Sequence, residues 1–266
     1  MSRPADANQR WAEMLAGWAI PEPLMASAPE RPYFFDPAVF TAAADAAVRR
    51  HDDTPSDRVA GVALGTSGHV LDVGVGGGAA SLRLGAARIT GVDPSEALLD
   101  AFSSRAERLG IAPVSIRGTW PEVAPRAPRA DVVVCHHVVY NVADLAPFAS
   151  ALTEHATSRV VVELTAVHPM AWLAPYWEAL HGIDQSDRPV ADDAVAVLEE
   201  LGLPMRREDW SRPIQMIGEA GDDRLRRIAR RLCLRPDRLD ELRQLLDEVP
   251  PPTDREVVTL WWSTTS

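Results

Sequence analysis

The 266-residue chain contains no lysine; all 27 of its basic residues are arginine. That absence excludes a Schiff-base lysine and the lysine of a phosphate-binding Walker loop. Cysteine is nearly as scarce. Cys135 and Cys233 lie far apart and fit neither a disulfide framework nor a metal-ligand spacing, so no metal is expected. Positive charge is outweighed, with 38 Asp and Glu giving a net charge of −11. A nucleic-acid partner is therefore not expected, since phosphate neutralisation supplies most of that affinity. The one basic cluster, Arg226, Arg227, Arg230 and Arg231, reads as a solvated helix face balanced by Asp222 and Asp223. There is no run of 18 apolar residues, and no basic N-terminal segment leads into an apolar one. The expectation is a cytoplasmic protein without a membrane partner. Aromatic residues make up only 6%, yet eight are Trp.

What is present is enough apolar material, 46%, for one large domain with an appended part. Trp11, Met14, Leu15 and Trp18 recur at helical spacing, and Pro21 and Pro23 end that helix. A second helix is predicted over 37–50 with Asp36 as its N-cap, and 51–56 reads as a turn. From His69 onward, short β-branched strands alternate with helices. Strands are predicted at 70–73, 88–92, 114–116, 131–135, 159–164 and 256–262, with helices at 79–87, 94–109, 144–155, 170–180, 192–201, 222–233 and 236–248. This pattern predicts an α/β fold: a doubly wound, seven-stranded, mostly parallel sheet with an N-terminal helical extension and extra C-terminal helices. Residues 1–60 are expected to form a cap or lid and 61–266 the cofactor-binding domain.

The most informative segment is Val70-Leu71-Asp72-Val73-Gly74-Val75-Gly76-Gly77-Gly78. A strand running through glycines into a helix lays a nucleotide cofactor across the strand end. The glycines alone fit two cofactors. Gly74-x-Gly76-x-x-Ala79 also satisfies the dinucleotide fingerprint, with Asp93 where a ribose-binding acid belongs. Asp72 separates the two readings. A carboxylate inside the first strand is costly unless paired, and S-adenosylmethionine carries an ammonium that can pair with it.

Leu71–Gly78 resembles the first motif of class I S-adenosylmethionine-dependent methyltransferases. Gly91-Val92-Asp93-Pro94-Ser95 resembles the second, and Asp131–Cys135 the strand of the fourth. The resemblance covers Gly68 to Glu163 well and implies S-adenosylmethionine as cofactor. It implies cofactor-binding roles for Asp72, Gly74, Gly76, Gly78, Asp93, Pro94 and Ser95. An Asp that often follows the family's third strand is replaced by Thr119, whose hydroxyl accepts more weakly. Trp120 is read either as packing on the adenine face or as closing the core edge, and His136 as a cofactor contact.

Acceptor residues are expected beyond the strand ends. His137 is a candidate general base, Tyr140 a candidate for orienting the acceptor, and His168 a second candidate base. Tyr33, Phe34, Asn141, Trp172, Tyr176 and Trp177 are candidate substrate contacts. The expected partner is a small-molecule acceptor, apolar or aromatic, methylated on an O, N or C centre; a homodimer is left open. Two alternatives stand beside this. One is an NAD-dependent oxidoreductase, disfavoured by Asp72 and the lack of a Tyr-x-x-x-Lys pair. The other is a non-enzymatic S-adenosylmethionine-binding protein.

Overall fold

In the computed structural model, residues 6–33, 36–64, 68–214 and 221–264 are described. Phe34, proposed above as a substrate contact, lies outside them. Four helices come first: α1 (Ala7–Trp18), α2 (Glu22–Ser27), α3 (Pro37–Arg49) and α4 (Pro55–Leu64). Then follow β1 (His69–Val73), β2 (Arg88–Asp93), α5 (Glu96–Arg108), β3 (Ala112–Arg117) and β4 (Ala130–His136). The chain continues through α6 (Leu145–His155), β5 (Ala156–Thr165), α7 (Ala174–His181), α8 (Ala191–Glu200) and β6 (Arg206–Pro213). It closes with α9 (Asp222–Arg231), α10 (Leu239–Glu248) and β7 (Asp254–Ser263).

The seven strands form one sheet in the order β3-β2-β1-β4-β5-β7-β6. β1 to β5 are parallel; β7 runs antiparallel to β5 and to β6. Val132, Val133 and Val134 in β4, and Val160 and Val161 in β5, are fully buried, as inner strands covered on both faces require. Alternate residues feed two cores. Leu71, Val73, Val133, Cys135 and Val162 pack with α1, α6 and α8. Val70, Ile89, Val132, Val134 and Val161 pack with α4 and α5. A third cluster joins α7, α9 and α10 into a separate helical layer.

Three expectations change. No helix follows the glycines over 79–87; the segment is a series of turns. Gly78 and Gly85 hold positive φ there, and Ser81 turns its hydroxyl onto Asp72 at 2.6 Å. The predicted turn at 51–56 overlaps a real helix, α4. Its start carries a reciprocal cap: Asp57 N donates to Thr54 Oγ1 and Thr54 N to Asp57 Oδ2. The proposed domain boundary at residue 60 thus falls inside a helix packed on the sheet. Strand β6 was not predicted. It is a charged edge strand, Arg206-Arg207-Glu208-Asp209-Trp210, whose sequence lacks an apolar face.

The first helix is built into the body. Trp11 is completely buried, and its indole N–H donates to Val142 O at 2.7 Å. Asn8 Oδ1 accepts from Ala146 N, capping α6 from outside, while Asn8 Nδ2 donates to Asp144. An element so anchored is expected to unfold with the domain. Trp11→Ala should lower the unfolding free energy by about 3–5 kcal/mol. Urea denaturation followed by circular dichroism measures this; a change near zero would make α1 a detachable lid.

Candidate active site

Three groups of residues meet at the carboxyl ends of β1, β2, β4 and β5. The first is the glycine-rich turn. Gly74 has φ +77, and a Cβ on it would lie 2.3 Å from Val138 Cγ2, so only glycine fits between β1 and the turn that leaves β4. On the outer side α3 lies across the turn. A Cβ on Gly77 would come within 2.7 Å of the Phe40 carbonyl oxygen. Asp93, at the end of β2, takes Gly76 N on one oxygen at 3.0 Å and Ser95 N on the other at 2.9 Å. Ser95 also caps α5 through its hydroxyl. Pro94 and Thr119 lie exposed beside it, past the ends of β2 and β3.

Asp72 points from β1 into the same region and is fully buried. Ser81 donates to its Oδ2; Oδ1 has no hydrogen-bond partner. Burial, with a smaller push from the Asp93 charge, raises its pKa from 3.8 to about 7, against the stabilising Ser81 bond. A buried carboxylate oxygen without a hydrogen-bond partner is rare in a folded protein and marks a functional position.

The second group is polar. Glu163, near the end of β5, is buried yet ionised. Burial pushes its pKa up, but the imidazoles of His136 and His137 and the Arg212 guanidinium outweigh that and hold it well below the usual carboxylate range. Ser56 at the start of α4 donates to its Oε2 at 2.6 Å, and the Ser56 hydroxyl also meets Thr259 at 2.8 Å. His137 Nε2 lies 3.0 Å from Glu163 Oε1, with Arg212 Nη2 2.7 Å from the same nitrogen. A guanidinium can only donate and a carboxylate only accept, so Arg212 and Glu163 grip the ring at Nε2 from two sides. His137 holds φ 58, a left-handed conformation that costs a non-glycine residue about 1–2 kcal/mol. His137 N to Glu163 O, at 2.7 Å, helps fix it. His136 is buried with Nε2 unpartnered, and burial lowers its pKa.

The third group lines a cavity of about 350 Å³ between α1, the turn after β4 and the α7–α9 layer. Its walls include Trp18, Tyr33, Tyr140, Asn141, His168, Trp177, Gln185 and Arg231. The His168 ring stands 5.2 Å from both the Trp18 and the Tyr140 rings.

Several expectations are corrected here. Tyr140 lines the cavity with its hydroxyl donating to Thr165 O at 2.9 Å and its pKa driven up by burial, which leaves its ring rather than its hydroxyl to meet an acceptor. His168 accepts Met170 N on Nδ1 at 3.2 Å, which puts its proton on Nε2 and makes it a donor to the cavity rather than a base. Burial, then Arg231, lowers its pKa to about 4. Trp120 closes the core edge: its N–H donates to Phe148 O and its ring meets His155 at 4.9 Å. Trp172 and Tyr176 pack edge-to-face in the third cluster, Tyr176 donating to Val249 O. They are core, as aromatics at helical spacing commonly are, because α9 and α10 cover them. Arg231 of the basic helix sits at the cavity wall instead of on a solvated face. Glu163, Ser56, Arg212, Gln185 and Arg231 are not singled out by the sequence as site residues. Glu163 alone left a signal, an acid inside a β-branched strand.

The sheet order, the glycine turn and the acid ending β2 define a cofactor-binding α/β enzyme fold. A family model described as a methyltransferase domain matches residues 70–158. A ubiquinone biosynthesis O-methyltransferase of Methylobacterium sp. (strain 4-46) is 38% identical over 193 residues, 64% of this chain and 74% of the relative. Two solved structures share the fold, both S-adenosylmethionine-dependent methyltransferases in complex with S-adenosyl-L-homocysteine. That of Geobacter sulfurreducens is 18% identical with TM-score 0.51, covering 85% of this chain and 98% of its own. That of Thiobacillus denitrificans is 18% identical with TM-score 0.50, covering 86% and 100%. The chain belongs to the S-adenosylmethionine-dependent methyltransferase family, and S-adenosylmethionine is its cofactor. Among the described residues no helix is long and apolar enough to cross a membrane.

Asp72 makes a pH-dependent prediction. Its folded-state pKa lies above the unfolded value, so the stability it contributes is complete below pH 3.8 and is lost as pH rises through about 7. Asp72→Asn removes that loss. In thermal melts of the ligand-free protein, the variant's Tm relative to the parent should climb from about pH 5 to about pH 8. A pH-independent difference would mean that Asp72 is ionised throughout.

Proposed function

We propose that this enzyme transfers a methyl group to a small, apolar or aromatic molecule held in the cavity between α1 and the α7–α9 layer. One observation carries the reading. The turn that leaves β4 has Val138 against Gly74 of the cofactor turn, while Tyr140 and Asn141, two and three residues on, form cavity wall. A molecule in the cavity is thus one turn of chain away from the cofactor. The volume suits a small ligand, and the lining is mainly apolar and aromatic with a few polar groups.

The residues present fit the cofactor. Asp72 Oδ1, buried and unpartnered, matches an ammonium; Asp93 keeps lone pairs for ribose hydroxyls beyond its two backbone bonds. Gly74, Gly76 and Gly78 let the backbone approach closely, and Pro94, Ser95 and Thr119 border the place for the base. When bound, S-adenosylmethionine supplies a methyl group already activated on a positive sulfur. The protein's main task is then alignment and exclusion of water, worth up to about 7–11 kcal/mol. Tyr140, Asn141 and Trp177 hold the acceptor. His137, its ring held at Nε2 by Glu163 and Arg212, is the group placed to take the acceptor's proton, a contribution of about 10²–10⁴-fold. Glu163 is a positioning residue: it holds the ring and supports the left-handed backbone at His137.

Isothermal titration should show S-adenosylhomocysteine binding, weakened about 100-fold in Asp93→Ala through loss of two hydrogen bonds to a charged acceptor. No binding by the folded parent would end this reading. With an acceptor in hand, His137→Ala should lower kcat by at least about 10²-fold while the affinity for S-adenosylhomocysteine is unchanged. Glu163→Gln should shift the pH profile of kcat, which a purely structural role would leave in place.

A further inference from the structure

The sheet edge beside His137 holds more positive charge than the protein itself neutralises. In the β6–β7 ladder Arg212 stands directly opposite Arg255, so the two side chains rise from the same face of the sheet. Like charges so opposed destabilise a sheet. Arg212 is engaged. Its Nη2 lies 2.7 Å from His137 Nε2, its Nη1 3.7 Å from Glu163 Oε1, and its guanidinium 5.6 Å from the centre of the Trp210 ring. Glu163 is the carboxylate of this group, and it is already shared with His136 and His137. Arg255 is different. It is half-buried, and among the described residues its side chain has no hydrogen-bond or ion-pair partner. Burial, then the Arg212 charge, lowers its pKa, and no carboxylate opposes that shift. Its chain neighbours Asp254 and Glu256 are exposed and point to the other face, as alternate strand residues do. A chain of net charge −11 has acids to spare, yet it leaves this guanidinium beside another one.

We infer that Arg255, set beside Arg212, is a carboxylate-binding residue at the margin of the active site. A guanidinium meets a carboxylate with two parallel hydrogen bonds. A carboxylate on Arg255 also turns the like-charge pair from a cost into an attraction. Arg212 is held in place by His137, Glu163 and Trp210, which leaves Arg255 for the ligand. Because Arg212 touches His137, the ligand's carboxylate lies one side chain away from the proposed base. Two molecules handled by a methyltransferase can bring that group. S-adenosylmethionine carries a carboxylate on its methionine end, and an acidic acceptor carries one of its own. The inference does not rest on the cavity between α1 and the α7–α9 layer being the acceptor site.

The test changes Arg255 in the full-length protein, because changing Arg212 would also release His137 and Glu163. Arg206→Gln, at an exposed position further along β6, controls for the loss of one charge. In thermal melts without ligand at low salt, Arg255→Gln should melt about 1–3 °C above the parent, since it relieves the like-charge pair. High salt should erase that gain. Binding is then read by isothermal titration in two arms. The first compares S-adenosylhomocysteine with 5′-methylthioadenosine, which lacks the amino-acid end. The second compares benzoate with benzamide on protein saturated with S-adenosylhomocysteine. In one arm Arg255→Gln should weaken the carboxylate-bearing ligand by about 10-fold or more and leave its counterpart unchanged. Arg255→Lys should keep part of that affinity, and Arg206→Gln all of it. A loss in the first arm makes the cofactor the source of the carboxylate; a loss in the second makes it the acceptor. No loss specific to Arg255 in either arm overturns the inference. So does an Arg255→Gln protein less stable than the parent, which would make Arg255 structural. S-adenosylhomocysteine that binds with no dependence on Arg255 leaves methyl transfer standing. If it does not bind the parent at all, methyl transfer falls, and the benzoate arm run without it still decides the site.

Discussion

The contact of Val138 with Gly74 is the constraint on which the site depends. The chain leaves β4 so close to the end of β1 that a single methyl group would not fit between them. That closeness places His137, Tyr140 and Asn141 next to the cofactor turn. It also requires His137 to enter the turn with a left-handed backbone, a conformation uncommon outside glycine. The carbonyl and carboxylate of Glu163 both engage His137, so β5 supplies what holds the turn in place. Strain of this kind persists only where surrounding contacts over-determine it. Here those contacts come from β5, from α4 through Ser56, and from β6 through Arg212.

Three carboxylates are buried at this edge of the sheet, and the fold treats each differently. Asp93 receives two backbone N–H groups and needs no counter-charge inside the protein. Glu163 is surrounded by two imidazoles, a guanidinium and a hydroxyl, and stays ionised. Asp72 receives one hydroxyl only, and burial leaves it poised near neutrality. The under-satisfied one stands in the strand that feeds the glycine turn. A fold optimised for the ligand-free state would replace Asp72 with an apolar residue, as the cost of burying a lone carboxylate demands. Its presence makes sense as stability given up where a ligand's positive charge restores it.

Much of this was legible in sequence, for reasons that can be stated residue by residue. Val132 to Cys135 and Val160 to Val162 had to be inner strands because nothing else buries such runs on both faces. Asp72 and Asp93 declared themselves because an acid at a strand end next to glycines has few structural explanations. The second half of the site was hidden. Ser56 lies 107 residues from Glu163 in the chain, and no local pattern joins them. Strand β6, which brings Arg212, has no apolar face to show, because an edge strand is free to carry charge. The aromatics Trp172, Tyr176 and Trp177 share one segment. Only packing of α9 and α10 decides that the first two are core and the third faces the cavity. The start of α4 does carry a local signal, the capping pattern Thr54-Pro55-Ser56-Asp57, but the turn-forming residues just before it mask that signal.

The same arrangement explains why the cavity itself holds so little acid–base chemistry. Tyr140 gives its proton to a backbone carbonyl, and His168 spends its lone pair on a backbone N–H. Both rings thereby become fixed walls. Fixing them is the more useful outcome for a methyl donor that arrives already activated, because alignment outweighs proton transfer by several kcal/mol at the upper end of each range. His137 stands outside these walls, its ring held at Nε2 by Glu163, and Glu163 remains charged because Arg212 and Ser56 reach it from elements far away in sequence. The lysine-free composition fits the same logic: a guanidinium stays protonated beside a buried carboxylate under conditions where a desolvated amine would lose its proton.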